Sequence, residues 1–229
     1  MAYLQKLFFA ALIAGLIGGF FASALNISVT VPMILQAEVY EHTTEHAHAG
    51  EHGAHEHPEV STFARNTLTV VGMILAYVGF AFMMTVLAEL KGSLTSWKSG
   101  LAWGGAGYLV FSLVPALGLP PELPGMPAAD LLQRQVWWIA CAACTAGAIL
   151  LALNYRSPLA LFGAAALVAM PFLVGAPAIS EAATLVPEAL HHQFVIGTLA
   201  ANLVTWLAMG LSLGMLRSPG RPQLAARGI

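Results

Sequence analysis

Residues 7–35 read Leu7-Phe8-Phe9-Ala10-Ala11-Leu12-Ile13-Ala14-Gly15-Leu16-Ile17-Gly18-Gly19-Phe20-Phe21-Ala22-Ser23-Ala24-Leu25-Asn26-Ile27-Ser28-Val29-Thr30-Val31-Pro32-Met33-Ile34-Leu35, with no charged side chain. A helix crossing the hydrocarbon core needs about 20 mostly apolar residues. In lipid it must also satisfy every backbone N–H and C=O within itself, which a single run of this kind does only as a helix. The stretch therefore reads as a membrane-spanning helix, and Pro32 is expected to bend or end it.

Five further runs have the same character: 66–87, 100–117, 131–153, 159–174 and 194–216. The fifth of the six is short, and Pro171 and Pro177 crowd its end; a re-entrant or tilted segment is the alternative there. The alternating pattern of a transmembrane barrel is absent. Composition agrees. Of 229 residues, 58% are hydrophobic and 9% charged, and the mean hydropathy is +0.76, whereas soluble domains carry roughly 25% charge. A single globular core could not hide so much apolar surface, which excludes an ordinary soluble enzyme. Two cysteines exclude a disulfide-dense scaffold. A net charge of −2 without a basic block excludes nucleic acid as a partner. The expected fold is all-α and polytopic, with about six transmembrane helices in one integral membrane domain, solvated by the lipid bilayer.

Charge orients these helices. With the N-terminus inside, the inner connections receive Lys6, Lys91, Lys98, Arg156, Arg217, Arg221 and Arg227, the outer ones only Arg65 and Arg134. This positive-inside bias puts both termini, including a short tail at 217–229, on the cytoplasmic side of the membrane. Every acid but Glu89, and all eight histidines, then fall outside. Lys6, the apolar run and Ala22-Ser23-Ala24 also resemble a signal peptide with its cleavage site. The run continues to Leu35, long for a signal, so a retained first helix is expected and cleavage is the alternative. Gly15/Gly19, Gly100/Gly104 and Gly210/Gly214 have the spacing that lets helix backbones approach. Three such pairs point to a tightly packed bundle, within one chain or with a partner, a homo-oligomer included.

Residues 36–63 form the expected outer loop, rich in His and Glu. Six of the sixteen residues from His42 to His57 are histidine (His42, His46, His48, His52, His55 and His57), interleaved with carboxylates. Such a segment has no apolar face to bury and is expected to be mobile. Neutral imidazole is a common ligand for divalent Co, Ni, Cu and Zn, and a reference pKa of about 6.5 leaves most of these rings neutral at pH 7. His42 and His46 stand at i,i+4 and would share a metal on a helical turn; His46/His48 and His55/His57 would chelate from an extended chain. Fast capture of modest affinity and little selectivity is the expected chemistry. The alternative is a solvated acidic loop with incidental histidines.

Glu181, Glu188, His191 and His192 lie on the same side, just before the sixth helix. With Glu38 and Glu41 after the first, they form a candidate outer mouth that replaces part of a cation's hydration shell; ordinary interfacial polarity is the alternative. Inside the membrane a candidate path follows helical spacing. His191, Thr198, Asn202, Thr205 and Met209 recur on the sixth helix. Asn66, Met73, Tyr77 and Met84 do so on the second, and Ser23, Asn26 and Thr30 on the first. More often such Asn and Thr residues hydrogen-bond neighbouring helices and Met fills gaps, which is the alternative here. Cys141 and Cys144 share a face of the fourth helix; in lipid they read as small packing residues, with metal contact as the alternative. No phosphate-binding G-x-x-x-x-G-K-[ST] occurs, and neither H-E-x-x-H nor G-x-S-x-G appears. No enzyme is indicated, and no cofactor.

Two stretches carry a resemblance. Residues 31–41, Val31-Pro32-Met33-Ile34-Leu35-Gln36-Ala37-Glu38-Val39-Tyr40-Glu41, close the first helix ahead of the histidines. Residues 119–125, Leu119-Pro120-Pro121-Glu122-Leu123-Pro124-Gly125, precede Arg134, Trp137 and Trp138 at the start of the fourth. In both, and along most of its length, the chain resembles the CbtA family of predicted cobalt transporter subunits. That resemblance implies a small polytopic bacterial membrane protein associated with cobalamin-regulated genes, paired with a short single-helix CbtB-type subunit. It implies cobalt import, with Glu38 and Glu41 near the mouth. The nickel/cobalt permease signature H-x-x-x-x-D-H is missing. In the link, Glu122, Asp130 and Arg134 are expected to pair, and Trp137 and Trp138 to sit in an interfacial belt. The expected function is uptake of a divalent transition metal, Co²⁺ first and Ni²⁺ or Zn²⁺ next. A non-conducting metal-buffering or sensing scaffold and a metal exporter are the alternatives.

Overall fold

The computed structural model describes residues 1–48, 62–91, 94–177 and 184–218, and among them every regular element is helical. Helix α1 is Ala2–Leu25, a π-turn covers Asn26–Thr30, and α2 is Val31–His48. Helix α3 is Thr62–Lys91 and α4 is Trp97–Tyr108; a second π-turn at Leu109–Leu113 leads into the short α5, Val114–Ala116. Helices α6, α7 and α8 are Leu131–Asn154, Pro158–Val174 and Glu188–Arg217. Four runs are long and apolar enough to cross a membrane: Ala2–Tyr40, Phe63–Lys91, Leu131–Asn154 and Glu188–Arg217. At 1.5 Å per residue, α7 reaches about 25 Å, a little short of the hydrocarbon thickness.

Pro32, expected to bend or end the first helix, does not end it. Its ring would strike the carbonyl four residues back in a regular helix. Here the N–H of Val31 reaches instead to the Asn26 carbonyl, five residues back, so the widened turn makes room for the ring. The same solution recurs at Val114-Pro115, where Val114 N–H bonds to the Leu109 carbonyl. Beyond Pro32 the helix runs on to His48, so the segment expected as a loop from residue 36 begins as helix. Gln36 to His48 contain neither Gly nor Pro, the residues that would stop it.

The remaining helix ends follow local chemistry. Ser96 and Ser99 form a capping box on α4, Asp130 accepts from Gln133 N–H at the start of α6, and Ser157 does the same for Ala160 N–H on α7. Helix α7 stops at Gly175, whose φ of 91° lies where a side chain is strained.

Small residues face inward and large apolar ones outward. Ala11, Ala14, Ala81 and Ala88 are fully buried, while Phe162 and Leu173 are 74% and 85% exposed. In lipid such a surface is solvated, and association rests on close packing instead. Helix α1 packs along α3 and α8, and α4 packs along α8. Helices α6 and α7 form a hairpin that joins this bundle through the second π-turn and α5. At the α4–α8 seam the backbones touch. A Cβ on Gly210 would lie 2.4 Å from the Gly100 carbonyl oxygen and 2.8 Å from Gly104 Cα; one on Gly104 would lie 2.4 Å from the Trp206 carbonyl oxygen. On α1, Gly15 and Gly19 admit Val78 and Ile74 of α3 with equal closeness.

The seam generates a prediction. Gly210→Ala should cost about 1–3 kcal/mol through overpacking, whereas Gly79→Ala, with open space around it, should leave stability unchanged or slightly raised. Thermal unfolding of the two variants in detergent measures the difference.

Candidate functional site

One end of the bundle gathers most of the polar candidates. There α2, the 119–125 link and the start of α8 share a small apolar cluster in which Ala37, Leu123, Val186 and Phe194 are buried. Glu38 projects from α2 and pairs with Arg65 of α3 at 3.4 Å. On α8, the His191 ring nitrogen Nε2 lies 3.0 Å from the Pro121 carbonyl oxygen, while Glu188 and His192 are exposed. The side chains of Glu41, His42, His46 and His48, and the whole of His52, His55, His57 and Glu181, lie outside the described residues. Among the described residues no three His, Cys, Asp or Glu side chains come together as a metal-holding group.

The link behaves partly as expected. Glu122 and Arg134 pair at 3.0 Å, but Asp130 is engaged as the α6 cap instead. Trp137 is a correction: it is buried, and its indole N–H donates to the Pro171 carbonyl at 3.1 Å. This bond ties the hairpin together, and the ring fills the space left by the missing side chain of Gly118. Trp138 is half-buried beside Phe111, ring centres 6.0 Å apart.

Between these elements lies a cleft of about 550 Å³, bordered by Leu119, Pro120 and Pro121 of the link, Arg134, Gln135 and Trp138 of α6, and Phe111 and Ser112 of the π-turn. It deepens to Asn202 of α8, whose side-chain oxygen accepts from the Tyr77 hydroxyl at 3.1 Å. Below Asn202 the bundle is closed by rings. Trp206 is buried, with Phe80 at 5.0 Å, Tyr77 at 6.1 Å and Phe111 stacked on it at 5.7 Å. Pairs in this range are attractive beyond their burial.

The α8 stripe therefore divides at Asn202. Thr198, above it, has a buried hydroxyl oxygen without a hydrogen-bond partner. Thr205 and Met209, below it, are sealed in the core, Thr205 donating to the Ala201 carbonyl at 2.9 Å. Met84 shares that core with Met209, and Met73 packs at its edge. Thr30 is buried and Asn26 half-buried in the first π-turn, which packs on α8. Cys141 is a buried free thiol, and Cys144 is free and half-buried. Sequence reasoning passed over Ser112 and Gln135. Their signal was present in polar side chains within apolar runs, one of them three residues before Pro115.

A family model described as probable cobalt transporter subunit (CbtA) matches residues 4–218. The chain belongs to the CbtA family. No curated protein and no solved structure matches it. Membership in the CbtA family and the long apolar helices together make this a multi-pass membrane protein with a role in metal transport, cobalt being the ion the family implies as cargo. Transporter subunits of this kind are generally not enzymes.

The Tyr77–Asn202 bond can be weighed directly. Tyr77→Phe should cost about 0.6 kcal/mol, typical of hydrogen bonds between membrane helices. Tyr77→Ala, which also removes the ring packed on Trp206, should cost about 3–5 kcal/mol. Chemical unfolding in mixed micelles separates the two.

Proposed function

We propose that this chain is the membrane subunit that takes up a divalent transition-metal cation, Co²⁺ first, into the bacterial cytoplasm. Family membership over residues 4–218 carries the reading. In it the six segments cross the inner membrane with both termini inside and residues 36–63 outside. His42, His46, His48, His52, His55 and His57 capture the ion. Glu38, Glu41, Glu181, Glu188, His191 and His192 pass it inward, and the cleft above Asn202 receives it.

The described walls of that cleft hold Ser112, Gln135 and Asn202 but no carboxylate or imidazole, and Arg134 on the wall is paired with Glu122. Stripping a dication of water there would be costly. The ion therefore keeps most of its hydration shell in the cleft and meets these amide and hydroxyl groups through water. Asn26, Thr30, Thr198, Met73, Met84 and Met209 line the rest of the route, and its part beyond Trp206, Met84 and Met209 included, opens once the aromatic closure gives way. The membrane potential supplies the drive. Two charges moving to a negative interior gain about 4.6 kcal/mol per 100 mV, enough for roughly thousandfold accumulation. A single-helix CbtB-type subunit and a second copy of the chain are the expected partners. Buffering or sensing without conduction, and export, are the competing outcomes.

Cobalt accumulation by right-side-out membrane vesicles tests the assignment of loop and cleft. Deleting residues 42–57 should lower uptake several-fold when the metal is scarce and leave it unchanged when abundant. Leu199→Trp, which fills the cleft, should lower uptake at both concentrations. Uptake indifferent to both changes would contradict the proposed route.

A further inference from the structure

The end of the bundle opposite the cleft is built differently. Glu89, in the last turn of α3, accepts from the Tyr3 hydroxyl of α1 on one carboxylate oxygen. Its other oxygen is paired with the Arg217 guanidinium, the last residue of α8. One carboxylate thus joins the ends of three helices that belong to one core. The Arg217 and Glu89 side chains are 14% and 29% exposed, so the pair lies half-buried at the rim of the bundle. Just above it Ala88, Leu94 and Leu213 are buried together. Beside it α4 and α8 are in backbone contact: a Cβ on Gly214 would lie 2.6 Å from the Ser96 carbonyl oxygen. Lys91 fastens the end of α3 to Asn154 at the end of α6, at 2.7 Å.

The other end carries the Glu38–Arg65 and Glu122–Arg134 pairs, each joining two elements. Two cavities, of about 550 and 560 Å³, lie there around the start of α6. They are bordered by the 119–121 link and by the end of α7 respectively. Glu89 is also the one acid that charge orientation places on the inner side, so its position is not explained by general surface polarity.

We infer that Glu89 is a positioning residue for transport: with Tyr3 and Arg217 it latches the inner end shut while the outer cleft stands open. The inference rests on the uptake reading for its direction and on the geometry alone for the latch. Release of the latch separates the ends of α1, α3 and α8 and exposes the layer containing Leu213. Charge pairs that break in one state and form in another are a common way to bias such an equilibrium.

The test uses the full chain with its native cysteines replaced (C141A, C144A) and a single reporter, L213C. Inside-out and right-side-out vesicles are treated separately with a membrane-impermeant maleimide. With the latch intact the reporter should be protected from both faces. E89Q should raise labelling from the inner face about tenfold, a shift a lost charge pair can produce. Tyr3→Phe should give a smaller increase, and the swap E89R/R217E, which re-forms the pair, should restore protection. Equal labelling with and without Glu89 overturns the latch. Should E89Q aggregate on size exclusion, Tyr3→Phe and the swap decide the matter in the same way. Inner-face labelling as described with no cobalt uptake would remove the uptake reading and leave the latch standing. Enhanced labelling from the outer face alone would remove the orientation.

Discussion

Backbone-to-backbone contact between α4 and α8 is the constraint on which the rest of the structure depends. In lipid there is no hydrophobic drive to press helices together, so affinity between them has to come from atoms brought into van der Waals range. Gly100, Gly104, Gly210 and Gly214 allow this by leaving no side chain between the two chains of peptide groups. Because α8 also receives α1, with Gly18 seated against Met209, it becomes the axis around which α1, α3 and α4 are arranged. Apart from a core that includes Trp206, Met209 and Leu213, many large apolar residues are displaced outward, where acyl chains solvate them.

This economy of space explains where the molecule is open. The glycine seam and the fully buried Ala88 and Leu213 make one half of α8 tight, while the opposite half carries Leu199 and Asn202 on the border of a cleft. The α6–α7 hairpin leans on the bundle mainly through the second π-turn and α5, with Lys91 of α3 reaching Asn154, and it leaves a gap beside α8 instead of closing it. Both π-turns precede a Val-Pro step. Each lets a helix pass a proline without breaking, which in a membrane would strand several backbone groups at once. The aromatic group around Trp206 then separates the open half from the closed one.

Much of this was legible in the residues themselves. Uncharged runs identified the helical segments, and the three Gly-x-x-x-Gly pairs announced close packing. Spacing alone could not say that Gly15 and Gly19 face α3 whereas Gly100 and Gly104 face α8, because partner choice depends on how the loops return the chain. Pro32 was readable as a disturbance, but whether a helix ends or widens at a proline is decided by the neighbouring turn. Trp137 looked like an interfacial residue by position and type; its burial follows from Gly118 and from the Pro171 carbonyl, both distant in sequence. The candidate site was legible only as stripes. Asn202 and Thr198 could be found by their period on α8, but the cleft is assembled from the link, a π-turn, α6 and α8, and no local pattern encodes that assembly. The histidine-rich stretch beyond His48 was legible by composition, and its side chains lie outside the described residues.

The central claim is that this CbtA-family chain conducts a divalent metal inward, and flux through the purified protein tests it most directly. Reconstituted into liposomes with cobalt outside, the chain should fill the lumen when the interior is made negative and should slow markedly when the potential is collapsed. Cobalt that binds to the outer face without entering, at any potential and with the single-helix partner present, would contradict the account.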